Sequence, residues 1–153
     1  MLSKRSLINS LRTAGCVFAE QEAELLLEAA TSPQDLRARL ARRTSGEPLE
    51  HVVGWAAFCG LQILLDPGVF VPRIRTELLA QQALSLLPAD AVVVDLCCGS
   101  GAVGAALLAA SPGIELHSTD IDPLEVACAR RNVDGPVYEG DLFRPCPITC
   151  TAR

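Results

Sequence analysis

Aromatic residues are scarce in this chain: one Trp, one Tyr and four Phe make up 4% of its 153 residues, whereas 50% are hydrophobic. Any core must therefore be built from Leu, Val, Ala and Cys, and the length suits one ordinary domain or a small domain beside part of a larger one. Long apolar runs are lacking as well. No stretch reaches about 18 residues without a charge or a Pro, which argues against a membrane-spanning helix. The N-terminal "MLSKRSLINSLRTAG" has no continuous apolar segment of the kind a secretory signal needs, so a cytoplasmic location and no membrane association are expected. A basic excess is missing too. The net charge of −5 argues against general nucleic-acid binding, which requires a basic face.

Cysteine, by contrast, is plentiful at seven, yet the number is odd and neither C-x-x-C pairs nor the Cys/His spacing of zinc sites occurs. No metal site is expected. In a reducing compartment Cys16, Cys59, Cys97, Cys98 and Cys128, which stand among apolar neighbours, should be small buried hydrophobes.

Residues 1–54 read as a small domain of short helices. "RSLINSLRTAG" ends at Gly15, "AEQEAELLLEAA" offers Leu25, Leu26, Ala29 and Ala30 as an apolar face, and "SPQDLRARLARR" opens with Ser32 as N-cap and Pro33 in the first turn. The arginine run Arg37, Arg39, Arg42 and Arg43 is expected to form a solvated face. Residues 55–74, with Gly60 and "DPG" between short β-rich runs, predict a hairpin that links two domains. Residues 75–153 open with the amphipathic helix "TELLAQQALSLL". A strand "AVVVDL", a helix from Gly101 to Ala110, a strand "IELHSTD", a helix "PLEVACARRNV" and a strand "PVYEGD" follow. This alternation predicts an α/β fold with a parallel sheet, whose ligands bind at the carboxyl ends of the strands.

Gly99-Ser-Gly101-Ala-Val-Gly104 satisfies the dinucleotide fingerprint, with Asp120 about 20 residues on as a ribose-binding acid. Asp95 discriminates between cofactors, because it ends the strand just before the loop. A dinucleotide would bring its anionic pyrophosphate against that carboxylate. S-adenosylmethionine brings an ammonium and a sulfonium instead, and Gly99 and Gly101 let backbone approach it closely. S-adenosylmethionine is therefore the favoured cofactor and NAD the alternative. Asp122, just before Pro123, reads as a helix N-cap. Asp141 in "EGDLF" is either an acceptor for an adenine amino group or a turn aspartate bonded to its own backbone.

Taken together, "GEPLEHVVGWAAFCGLQILLDPGVFVPRIRTELL", "VVVDLCCGSGAVG", "STDIDPLEVACARRNV" and "YEGDLF" resemble, in order and spacing, the protein-(glutamine-N5) methyltransferases. The resemblance covers about residues 15 to 143. It implies a helical substrate-recognition domain and a hairpin ahead of a partial class I S-adenosylmethionine-dependent methyltransferase domain of Rossmann-like build. It also implies that Asp95, Cys97, Gly99, Ser100, Gly101, Asp120, Ile121, Asp141 and Leu142 contact S-adenosyl-L-methionine. Arg73, Arg75, Thr76 and Glu77 would face a protein substrate such as a peptide chain release factor. Two departures stand out: Cys97 replaces a further Gly of the commoner loop, and Ile74 and Arg75 replace the usual Pro and acid. A Cβ at position 97 is tolerable if that residue keeps a negative φ.

In that family an "NPPY" motif after a fourth strand holds the substrate amide, which is catalysis by positioning. The sequence contains no such motif, so no catalytic residue is assigned. The closing "RPCPITCTAR" at 144–153 has neither strand periodicity nor a polar end, and reads as a frame-shifted tail on a truncated chain. Three readings follow: a glutamine methyltransferase inactive in this truncated form, a non-catalytic cofactor-binding fragment, or an NAD-dependent oxidoreductase. The first strand, "AVVVDL", is expected to have one edge without a partner, which invites association.

Overall fold

The computed structural model describes residues 3–147. The chain divides into two compact units, one ending at Gly54 and the other starting at Trp55.

The first unit consists of helices α1 (Lys4–Thr13), α2 (Ala19–Ala29), α3 (Pro33–Thr44) and α4 (Leu49–Val53). Ser3 caps α1 by accepting the Ser6 N–H, and Ser32 caps α3 by accepting the Asp35 N–H, with Pro33 in the first turn. The apolar stripes meet in a core of Leu7, Leu11, Ala19, Ala23, Leu26, Leu36 and Val52. Leu25, Ala29 and Ala30 are only half-buried, because Ala23 and, unexpectedly, Glu22 take inward positions on α2.

A solvated arginine face is found at Arg37 alone. Arg43 holds the buried Glu22 through two bonds of 2.7 and 3.1 Å, and Arg42 holds Glu47 through bonds of 2.8 and 2.5 Å. Arg39 pairs with Asp35 at 3.0 Å and also donates to the Val52 carbonyl. The expectation failed because a buried carboxylate demands a paired guanidinium, and helical periodicity records charge without recording what it meets.

In the second unit β1 (Trp55–Phe58) and β2 (Leu61–Leu64) form an antiparallel hairpin. Its two-residue turn puts both Cys59 (φ 49°) and Gly60 (φ 76°) in the left-handed region, the geometry that matches strand twist. Strand pairing stops at residue 64, so the stretch from 65 to 74 that was expected to belong to the hairpin is irregular chain. Then come α5 (Thr76–Leu86), β3 (Val92–Leu96), α6 (Ala102–Ala110), β4 (Glu115–Asp120), α7 (Pro123–Asn132) and β5 (Val137–Glu139). The helix expected from Gly101 starts one residue later, with Gly101 as its left-handed cap.

The three strands make a parallel sheet in the order β3-β4-β5, in which Asp95 lies opposite Ser118 and Asp120 opposite Glu139. Val93, Leu116, Val126, Ala129 and Val133 pack with Ala102, Ala105 and Ala106 of α6 into the main core. The almost wholly small, apolar α6 can lie close to the sheet. A Cβ at Gly104 would stand 2.8 Å from Leu116 Cδ2 and 3.2 Å from Asp95 Oδ2. On the other side of the pleat the buried His117 stacks on Tyr138 and bonds its hydroxyl at 3.0 Å. The α/β fold is that of a partial Rossmann-like methyltransferase domain that follows a set of helices along the chain. Of the tail, Arg144 and Cys146 close turns onto the carbonyls of Asp141 and Phe143, and residues 148–153 lie outside the described residues. No helix among the described residues is long and apolar enough to cross a membrane.

Candidate cofactor site

Because β3 and β4 run parallel, their carboxyl ends bring Asp95 and Asp120 to the same edge of the sheet. The chain leaves β3 through residues 97 to 101, where Cys97, Gly99 and Gly101 have φ of 56°, 55° and 78°. The Cys98 N–H prolongs the ladder to the Thr119 carbonyl at 3.0 Å, and the Gly101 N–H turns back to the Cys98 carbonyl at 2.8 Å. Gly101 has two separate needs for glycine, since a Cβ there would also lie 2.6 Å from Val133 Cγ2.

Both acids are held by backbone N–H groups, Asp120 by the loop and Asp95 by α6. Asp120 accepts the Gly99 N–H at 2.9 Å with one oxygen and the Asp122 N–H at 3.0 Å with the other. Asp95 accepts the Gly104 N–H at 3.1 Å. Burial pushes the Asp95 carboxyl up to about 6, a rise opposed by the Gly104 hydrogen bond and reinforced by the negative charge of Asp120. The neighbouring Cys98 thiol is pushed up to about 12 by burial and then by Asp95 and Asp120, so it stays a thiol. Asp122 accepts the Leu124 N–H at 2.8 Å and caps α7.

A cavity of about 200 Å³ opens against the loop. One wall is Asp95 to Ser100 with Ala102 and Val103, and the other includes Phe58, Phe70, Pro72, Arg73, Thr76 and Leu79. Arg73 lies over the Phe70 ring, its guanidinium carbon 5.4 Å from the centroid. The site residues read from sequence thus fall into two sets. Asp95, Cys97, Gly99, Ser100, Arg73 and Thr76 share this cavity, with Gly101 and Asp120 bonded or packed behind the loop. Ile121, Asp141, Leu142 and Arg75 are exposed outside it, and Glu77 turns away to accept the Cys59 N–H at 2.8 Å. The Gly140 N–H bonds the Asp120 carbonyl at 2.8 Å, which keeps the Asp141 loop next to the end of β4.

Two expectations for cysteine need correction. Cys97 is exposed, and its φ is positive: the chain must reverse directly after β3, and that turn dictates the residue's conformation whatever its side chain. Cys59 is half-buried because it occupies the hairpin turn. Three residues around the site escaped sequence reasoning. Gly104 was seen only as the last glycine of a pattern, although its N–H holds Asp95; Glu125 and Asn132 looked like ordinary polar positions on α7.

A parallel sheet with a glycine loop and strand-end acids gathered at its carboxyl edge defines a Rossmann-like domain of the kind that holds a nucleoside cofactor. The chain belongs to the methyltransferase small domain family, which it matches over residues 60–145, more than half of its length. It is also similar to release factor glutamine methyltransferases. The protein of that name from Geobacter sulfurreducens is 34% identical over 122 residues, which cover 74% of this chain and 43% of the relative. For Bifidobacterium longum the figures are 34% over 150 residues, 82% and 51%. For Mycolicibacterium smegmatis they are 42% over 101 residues, 65% and 36%. The chain therefore spans about half the length, or less, of the curated relatives it matches, and the resemblance to glutamine methyltransferases read from its motifs holds.

Proposed function

We propose that this chain binds S-adenosylmethionine at the carboxyl end of β3, and that it belongs to a protein that methylates a glutamine side-chain amide of a protein, of the release-factor type named for its relatives, in the cytoplasm. The observation that carries this reading is the half-buried Asp95 beside a loop of three left-handed residues. An acid whose ionised form is disfavoured by burial gains most from a cationic ligand, and the ammonium end of S-adenosylmethionine is one. Arg73 lines the same cavity and has the opposite charge, which suits a zwitterionic amino-acid end. Gly99, Ser100, Gly101 and Cys97 would cradle that end with backbone and a small side chain. Asp120 keeps lone pairs for ribose hydroxyls while its oxygens hold Gly99 and Asp122. Ile121, Asp141 and Leu142 would flank the adenine, and Arg75 and Thr76 the polypeptide substrate, with the helices of residues 1–54 as its recognition domain; Glu77, expected beside them, instead holds the hairpin turn through the Cys59 N–H.

When bound, S-adenosylmethionine supplies a methyl group activated by the sulfonium. The contribution of these residues is to bind and orient it, with the buried Phe58 as an apolar part of the cavity wall. For NAD the same site is poor, since its pyrophosphate would meet the Asp95 carboxylate in the cavity wall. Titration calorimetry with S-adenosylhomocysteine and with NAD tests the reading. Tighter binding of NAD would refute it.

A further inference from the structure

Helix α7 meets the end of β2 and the residues after it with hydrogen-bonding side chains as well as with the apolar cluster in which Cys128 packs on Ala56, Leu65 and Val69. Glu125, Cys128 and Asn132 recur at helical spacing, and each bonds backbone of the segment 64–70. Glu125 Oε1 accepts the Phe70 N–H at 2.7 Å, and Cys128 Sγ donates to the Leu64 carbonyl at 3.2 Å. Asn132 uses Oδ1 to accept the Leu64 N–H and Nδ2 to donate to the Leu64 carbonyl, both at 2.9 Å. Its amide thereby serves Leu64 as a neighbouring strand would. Arg131 adds an ion pair to Asp66 at 2.8 Å.

α7 also grips the glycine loop. Asn132 Nδ2 also donates to the Ser100 carbonyl at 2.8 Å. A Cβ at Gly99 would stand 3.6 Å from Glu125 Oε2, and Gly101 lies against Ala129 and Val133. Phe70 and Arg73 form one wall of the cavity beside Asp95, and Gly99 and Ser100 belong to the other. α7 is bonded to both.

We propose that Asn132, supported by Glu125, is a positioning residue for the cofactor cavity: one amide ties the end of β2 to the glycine loop and so fixes how far apart the two walls stand. The role rests on the cofactor reading above. It requires a neutral amide, because a carboxylate in the same place would set its oxygens against the Ser100 and Leu64 carbonyls.

Amide hydrogen exchange and calorimetry on the full chain, with S-adenosylhomocysteine as probe, test it. In Asn132→Ala, exchange without ligand should quicken at Gly99 and Gly101, whose own acceptors are Asp120 and Cys98, and at Phe70, while β4 stays protected. The dissociation constant of S-adenosylhomocysteine should rise about tenfold. Asn132→Asp keeps an acceptor for the Leu64 N–H but loses the donors to both the Ser100 and the Leu64 carbonyls, so exchange at Gly99 and Gly101 should quicken as in Asn132→Ala. If Asn132→Ala does not fold, Glu125→Ala, which releases the Phe70 N–H, carries the same comparison. Unaltered exchange at Gly99 and Gly101 in the folded variants overturns the positioning role. A wild-type chain that ignores S-adenosylhomocysteine overturns the cofactor reading instead, and exchange without ligand still decides the coupling.

Discussion

Asp95 couples the site to pH. Its folded pKa, raised to about 6 from 3.8, means that the fold favours the protonated acid. The resulting penalty is absent below pH 3.8, grows as pH rises toward 6, and is complete above it, on the order of 3 kcal/mol. A cationic ligand needs the ionised acid, so the affinity for S-adenosylhomocysteine should be flat above about pH 7 and fall roughly tenfold per unit below 6. Asp95→Asn should bind more weakly and lose that dependence; calorimetry between pH 5 and 8 reads both, and a slope that survives the substitution would assign it to another group. At the neighbouring strand end, Asp120→Ala should cost affinity, about 1.5 to 3 kcal/mol for a charged acceptor. Asp122→Ala should cost about 1 kcal/mol of stability as a lost cap and leave affinity alone. Cys97 and Cys98 make a chemical contrast: iodoacetamide should label the exposed Cys97 and spare the buried Cys98, with S-adenosylhomocysteine slowing the labelling. Equal labelling with and without ligand would separate Cys97 from the cofactor site.

Among the elements, the turn from β3 into α6 depends most on single residues. Gly101→Ala adds both a left-handed non-glycine and a collision with Val133, and should destabilise the second unit by about 2 kcal/mol. In the first unit Glu22→Ala leaves the Arg43 guanidinium without its main partner and should cost about 3 kcal/mol. Thermal melts read both, and a Glu22→Ala variant as stable as the parent would mean that the pair adds nothing. The same elements explain what the sequence made legible. Ser32 with Pro33, Asp122 with Pro123, and the strand running into Asp95 and Gly99 are local patterns, in which neighbouring residues decide the conformation. Asn132 could not be found that way, because its partners Leu64 and Ser100 lie 68 and 32 residues away. Glu22 was hidden for a similar reason: its partner, Arg43, stands 21 residues away on another helix. Cys97 was misjudged because a φ is set by the path of the loop and leaves no mark in the residue's identity.

At the scale of the whole molecule, the sheet has an open flank. β3 lies at its edge, and among the described residues no strand pairs with its outer side. Strands of parallel sheets are ordinarily central and covered on both faces, yet Val92 is 54% exposed, and α5 leaves Leu78, Leu79 and Leu86 in solvent. A row of unpaired backbone groups beside apolar side chains is a template for a second strand, and the copy always at hand is another molecule of the same chain. Charge works against that contact: the chain carries a net −5 at pH 7, and the repulsion fades toward its isoelectric point near 5.0. Sedimentation velocity should therefore show association that grows with concentration and strengthens as pH falls from 7 toward 5. Val92→Lys places a charge on the edge, as natural edge strands do, and should shift the population back to monomer without altering the melting of the first unit. If the parent stays monomeric at both pH values, or if the lysine variant associates as strongly as the parent, the edge of β3 is not the contact.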